Sequence, residues 1–137
     1  MILLFLVGCL SCLHQGAKID GDVDPTGDGK AFLAACKSED VTALSLLKAT
    51  GKTDCDAAWD RLSRITFLDL SYADVSDLSA LQGMRNLRTL SVYGKNISDV
   101  SPLAEMYYLE ELSLMQNKVV DISPLAKLVQ LRLLHLD

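Results

Sequence analysis

The chain has 137 residues, half of them hydrophobic, so it is long enough for one domain with a real core and too short for two well-packed domains. Its formal net charge is −5. An acidic chain repels phosphate groups, which argues against nucleic acid and an anionic membrane surface as partners.

The first 13 residues form an apolar run, MILLFLVGCLSCL, and no charged residue precedes Lys18. Such a run matches the hydrophobic region of a signal peptide and is too short to span a membrane. Its segment Leu6-Val7-Gly8-Cys9 resembles the bacterial lipobox, whose cysteine is lipidated, and Cys12 is a second, looser candidate. Residues 1–13 therefore predict a lipid anchor as the only contact with a membrane. A cleaved signal of a secreted protein and a buried N-terminal strand are the alternatives.

Residues 14–29 are rich in Gly and Asp, a composition that does not pack and that predicts a solvated tether. Several aspartates here have the spacing of a calcium-binding loop. However, Pro25 stands where that loop needs Gly, and Ala31 stands where it needs a bidentate Glu. We therefore expect no metal ion and no other cofactor.

Residues 30–64 are expected to form a helical N-terminal cap over the segment that follows. The predicted helices are Ala31–Cys36, Val41–Ala49 and Asp56–Leu62. Ser38 is the predicted N-cap of the second helix and Gly51 its stop, and Trp59 is expected on the buried side of the third.

Cys36 and Cys55 are the two cysteines beyond the N-terminal segment. In an exported protein, an isolated pair is expected to form a disulfide. A zinc site would need two more ligands, and the chain has only His14 and His135. Free buried thiols are the alternative.

Residues 65–137 contain a repeat of 22 residues, three copies complete and one partial, with no insertion. The copies begin at Ile65, Leu87, Leu109 and Leu131. Repeat positions 4, 6, 11, 14, 17 and 20 are apolar in every complete copy, and position 13 is always Asp. A fixed period of this length indicates a solenoid.

Each stretch of the repeat predicts a local structure. Positions 4 and 6 alternate with polar neighbours, which is typical of a short half-buried strand, with positions 3, 5 and 7 on the outward face of a parallel sheet. Asn117 at position 9 is expected to bond the backbones of adjacent coils. The Asp at position 13 should accept backbone N–H groups. Ser101-Pro102 and Ser123-Pro124 predict a short 3₁₀ or helical turn with Ser as its N-cap.

These columns resemble the leucine-rich repeat in the 22-residue form of internalin-type bacterial surface proteins. The resemblance covers residues 65–137. It implies an α/β solenoid with the parallel sheet on its concave face and 3₁₀ or helical turns on its convex face. The sequence departs from the family pattern at Ala73 and Lys95, which stand where the family has Asn.

The sequence predicts binding rather than catalysis. The single histidine of the repeats, His135, lies on the last strand, and the adjacent Glu110 and Glu111 point to opposite faces of a strand. We therefore expect a non-enzymatic interaction module at the bacterial cell envelope or exterior, whose concave face binds an unknown protein or surface glycan. The alternative is a structural or vestigial fragment of a longer repeat protein, forming a homodimer through an uncapped C-terminal coil.

The candidate binding residues are aromatic, polar and thioether side chains at the outward positions of the sheet. They are Phe67, Asp69, Tyr72, Thr89, Ser91, Tyr93, Glu111, Ser113, Met115 and His135.

Overall fold

A computed structural model describes residues 29–137, so the lipobox segment with Cys9 and Cys12 lies outside the described residues. Three helices come first: Lys30–Lys37 (α1), Val41–Thr50 (α2) and Cys55–Leu62 (α3). Four strands follow: Phe67–Asp69 (β1), Thr89–Ser91 (β2), Glu111–Ser113 (β3) and Leu133–His135 (β4). The 3₁₀ turns between strands are Ser79–Leu81, Ser101–Leu103 and Ser123–Lys127.

The strands form one parallel sheet in the order β1-β2-β3-β4, as the repeat predicted. Their central residues pair in register as Leu68, Leu90, Leu112 and Leu134. Each step across the sheet is one repeat, so equivalent positions of successive coils stack in straight rows.

The apolar columns form a single core that runs through the first three coils. Leu90 and Leu103 are fully buried, and Met106 is 1% exposed. Leu90 lies on a strand and Leu103 on a 3₁₀ turn, so both sides of the coil supply the core. Burial of a side chain of this size contributes roughly 1.5–3 kcal/mol, which makes these columns the main source of stability.

The chain bends directly before each 3₁₀ turn, and the Asp at repeat position 13 fixes this bend. The Oδ1 atoms of Asp77, Asp99 and Asp121 accept the backbone N–H two residues later, at 2.7, 2.8 and 2.8 Å. This confirms the predicted role of the aspartates. The backbone N–H of Ser101, and then its hydroxyl, holds the pKa of Asp99 below its ordinary value, and Ser123 lowers the pKa of Asp121 in the same way.

The prediction that Ser caps these turns is wrong. Ser101 and Ser123 are the first residues of their 3₁₀ turns, and Val100 and Ile122 occupy the N-cap positions without a side-chain bond. The preceding aspartate already binds the N–H of the serine, so a serine cap is not needed. The prolines lie at the start of the turns as expected.

Asn117 joins the second coil to the third, as predicted. Its Oδ1 accepts the backbone N–H groups of Lys95 and Ile97, both at 3.0 Å. Its Nδ2 donates to the carbonyl oxygens of Val92 at 2.7 Å and of Leu114 at 3.0 Å. A fifth bond runs from Nδ2 to the carbonyl oxygen of Met115 at 3.2 Å. Three of the five bonds cross between the coils, and those to Leu114 and Met115 lie within the third coil.

The second helix begins at Val41 as predicted, but Asp40 rather than Ser38 is its N-cap. The Asp40 side chain accepts the N–H of Ala43 at 2.9 Å, whereas the Ser38 hydroxyl donates back to the carbonyl of Ala35. Gly51 ends the helix in the left-handed conformation, with φ at 68°.

The helices lie directly against the first coil. Thr42 of α2 is fully buried, and its hydroxyl donates to the carbonyl of Asp77 and accepts the N–H of Ser76, both at 3.1 Å. Trp59 of α3 is half-buried and stacks on Phe32 of α1, with ring centroids 5.8 Å apart. These contacts hold the helices to the bend of the first coil.

A disulfide bond joins Cys36 near the end of α1 to Cys55 at the start of α3, with the Cα atoms 6.1 Å apart. The bond ties the first helix to the third. None of the helices between residues 29 and 137 has the length and apolar character needed to cross a membrane.

Candidate functional site

The outward positions of the four strands form two straight rows. The first, here called the front row, is made of Phe67, Thr89, Glu111 and Leu133. The second, here called the floor row, is made of Asp69, Ser91, Ser113 and His135. Both rows run across the strands, along the axis of the solenoid.

A third set of side chains, here called the back row, follows the strands. It consists of Tyr93 and Met115 at repeat position 7 and of Tyr72 at position 8 of the first coil. The backbone ladder continues just past the strand ends, where the N–H of Val92 donates to the carbonyl of Ser113 at 2.9 Å and that of Gly94 to Met115 at 3.0 Å. These bonds keep Tyr93 and Met115 in register on neighbouring coils. Front, floor and back rows together are called the sheet face.

Large apolar side chains on the sheet face are open to solvent. Tyr72 is 73% exposed, and Tyr93 43%, Phe67 41% and Met115 36%. Phe67 lies in the front row and the other three in the back row, so the predicted aromatic cluster is divided between two sides of the floor row.

The floor row is lined by shorter, half-buried polar side chains. Ser91 and Ser113 present hydroxyl groups in its middle, and the Oγ of Ser71 lies 3.3 Å from that of Ser91. The carboxylate of Asp69 accepts the N–H of Ser71 at 2.9 Å, which fixes its orientation. At the opposite end of the row, His135 is exposed. Three of the four floor positions are therefore half-buried, whereas three of the four front positions are exposed.

The sheet face is acidic. Its outward strand positions include Asp69 and Glu111, and neither lysine nor arginine occupies any position of its three rows. The nearest cation on the approach to β2, Arg88, is paired with Glu110 outside the face. The face thus combines aromatic rings, hydroxyl groups and carboxylates without a compensating positive charge.

Sequence reasoning overlooked an exposed aromatic pair outside the sheet face. Tyr107 and Tyr108, 44% and 51% exposed, precede β3 at repeat positions 21 and 22. The other coils carry Arg85-Asn86 and Val129-Gln130 there, without an aromatic residue. The two adjacent tyrosines were therefore the available signal in the sequence. Val129 is also exposed.

The arrangement is suited to non-covalent recognition. Exposed tyrosines can bury area against a ligand while their hydroxyl groups stay hydrogen-bonded. Among residues 29–137, no three His, Cys, Asp or Glu side chains group closely enough to hold a metal ion.

Two solved structures are similar to this chain. An internalin, InlF, of Listeria monocytogenes has 22% sequence identity and a TM-score of 0.53, over 90% of this chain and 46% of that one. Internalin C2 of the same organism has 41% identity and a TM-score of 0.45, over 47% of this chain and 28% of that one. The chain therefore spans less than half the length of either internalin.

Neither a family model nor a curated protein matches the chain. The similarity to InlF agrees with the stacked 22-residue coils and the parallel sheet of this chain. The chain has the internalin-like leucine-rich repeat fold.

Proposed function

We propose that this chain is an interaction module whose sheet face binds a protein ligand, without a reaction taking place on the face. The observation that carries the proposal is the exposure of Phe67, Tyr72, Tyr93 and Met115 on one side of an ordered sheet. Aromatic residues and Met are enriched at protein interfaces, and tyrosine is among the residues that dominate binding energy there.

The rigidity of the face supports the proposal. The parallel ladder and the three bonds from Asn117 to Lys95, Ile97 and Val92 hold the second and third coils together. A surface ordered before binding loses less conformational entropy when the ligand arrives, which leaves more of the contact energy as affinity.

The proposed setting is the cell envelope or the exterior. The disulfide between Cys36 and Cys55 supports an oxidising compartment, because such bonds are rare in the reducing cytosol. Within this proposal, Cys9 or Cys12 carries the lipid anchor, or a signal peptide is cleaved and the protein is secreted. Mass spectrometry of the mature N-terminus distinguishes these forms.

The test is binding of the purified chain to an array of extracellular proteins. The paired change Tyr72→Ala and Tyr93→Ala removes two tyrosines from the back row. Loss of about 2 kcal/mol, or roughly 30-fold in affinity, is expected for truncating central aromatic anchors. An array partner that binds this variant and the wild type equally would contradict the proposal.

The matched control is the paired change Tyr107→Ala and Tyr108→Ala, which removes two exposed tyrosines from outside the sheet face. We expect this control to bind the same partner as the wild type does. Light scattering on each protein measures the mass as a function of concentration. A mass that rises with concentration indicates self-association, which is the alternative predicted from the sequence.

A further inference from the structure

The floor row runs along the solenoid axis between the front and back rows. Its two serines are half-buried, as is Thr89 of the front row, whereas Phe67 and Glu111 on one side and Tyr93 on the other are exposed. Adjacent strands are spaced by about 4.8 Å, so four strands give a row of roughly 14 Å. An extended peptide rises by about 3.3 Å per residue, so about four residues fit along it.

The chemistry of the floor suits a peptide backbone. The hydroxyl groups of Ser91 and Ser113 are both donors and acceptors, and they lie one strand apart in register. An extended peptide presents N–H and C=O groups in alternation and can use both kinds of bond.

The negative charge of the sheet face favours a peptide with basic side chains. Asp69 and Glu111 lie two strands apart, about 10 Å along the axis. No ion pair among residues 29–137 includes either carboxylate. An anionic ligand is repelled here, while a lysine or arginine gains a carboxylate and, at Asp69, also the ring of Phe67 two residues earlier on the same strand.

From the juxtaposition of the hydroxyl groups of the floor row, the exposed aromatic side chains beside them and the two unpaired carboxylates, we infer that the ligand is an extended, basic segment of a protein lying along the floor row. The inference rests on the proposed function of the same face. About 10 Å corresponds to three residues of extended chain, so the segment carries two basic residues about three positions apart.

The experiment selects random displayed peptides on the whole chain and then measures the affinity of the enriched sequences. Peptides with two Lys or Arg residues about three positions apart are expected, and their affinity should fall as salt is raised. The paired change Asp69→Asn and Glu111→Gln should weaken binding about tenfold, in line with partly exposed charge pairs. Glu39→Gln with Asp56→Asn removes the same charge from the helices and should leave affinity unchanged.

Other results separate this inference from the proposed function. Enriched peptides that lack basic residues, or that bind the Asp69/Glu111 variant as well as the wild type, overturn the inference. If these peptides still require Tyr93, the proposed function survives. A glycan array that gives Tyr93-dependent binding when no peptide is enriched overturns the peptide ligand and leaves a glycan on the same face. No binding on either array, or binding that is indifferent to Tyr72 and Tyr93, counts against both.

Discussion

The bend of each coil and the outward face of its strand are built under different constraints. At the bend, all three complete coils place an aspartate two residues before a serine, and the carboxylate binds the same backbone N–H each time. On the front row, the equivalent positions are Phe67, Thr89, Glu111 and Leu133. The bend turns the backbone in the same way in every coil, so its residues repeat. The outward positions of the strands are not constrained in this way and differ from coil to coil. The specificity of binding therefore resides in these outward positions.

The largest expected effect comes from truncating a buried side chain, in comparison with its half-buried neighbour on the sheet face. Leu90→Ala removes a fully buried side chain from the middle strand and should lower the free energy of unfolding by about 2–5 kcal/mol. Thr89→Ala, one residue earlier and on the sheet face, should change the free energy of unfolding by about 0.5 kcal/mol or less. Urea unfolding measures both, and similar losses for the two variants would refute the division between scaffold and face.

A second prediction concerns the join between coils. Asn117→Ala leaves five backbone groups without this side-chain partner, three of them in the second coil, and should cost about 1–3 kcal/mol, because partly buried groups lose hydrogen bonds. Lys118→Ala alters an exposed neighbour and serves as the control. Hydrogen exchange should speed up at the N–H groups of Lys95 and Ile97; unchanged protection there would show that the amide is not the link between coils.

The smallest expected effect is a dependence on pH at the bends. The pKa values of Asp99 and Asp121 are lowered in the folded state by bonds from Ser101 and Ser123. The carboxylates therefore contribute stability at a pH above their unfolded pKa, and that contribution is lost as pH falls through the lowered folded value. Asp99→Asn with Asp121→Asn should make the free energy of unfolding less steep below about pH 4. Identical slopes for variant and wild type would rule out this source of acid sensitivity.

The sequence predicted the repeating part of the fold well, because a fixed period specifies strand register and core columns together. Asn117 was placed correctly for the same reason. The three helix starts were predicted to within one residue. The N-cap of the second helix was wrong, because Ser38 and Asp40 are both good caps and the spacing of apolar residues does not distinguish them. Ser101 was wrongly predicted to be a cap. Whether the Asp99 carboxylate reaches the N–H of Ser101 depends on how the backbone bends between them.

The rows of the sheet face were predictable from the sequence, whereas the binding role of their residues stays a prediction. Register alone places Phe67 and Asp69 on one face, but the exposure of each side chain follows from the folded sheet. Tyr107 and Tyr108 lie outside the strands, where the alternation of residues gives no orientation. The identity of the ligand depends on contacts with a second molecule, which repeat periodicity does not encode.

The most direct test of the central claim measures affinity and unfolding free energy on the same set of variants. Changing Tyr72 and Tyr93 to Ala should weaken ligand binding roughly 30-fold while the free energy of unfolding moves by about 0.5 kcal/mol or less. Changing Tyr107 and Tyr108 to Ala should leave both quantities close to those of the wild type. If the second pair weakens binding as much as the first, the ligand does not bind the sheet face and the account is wrong.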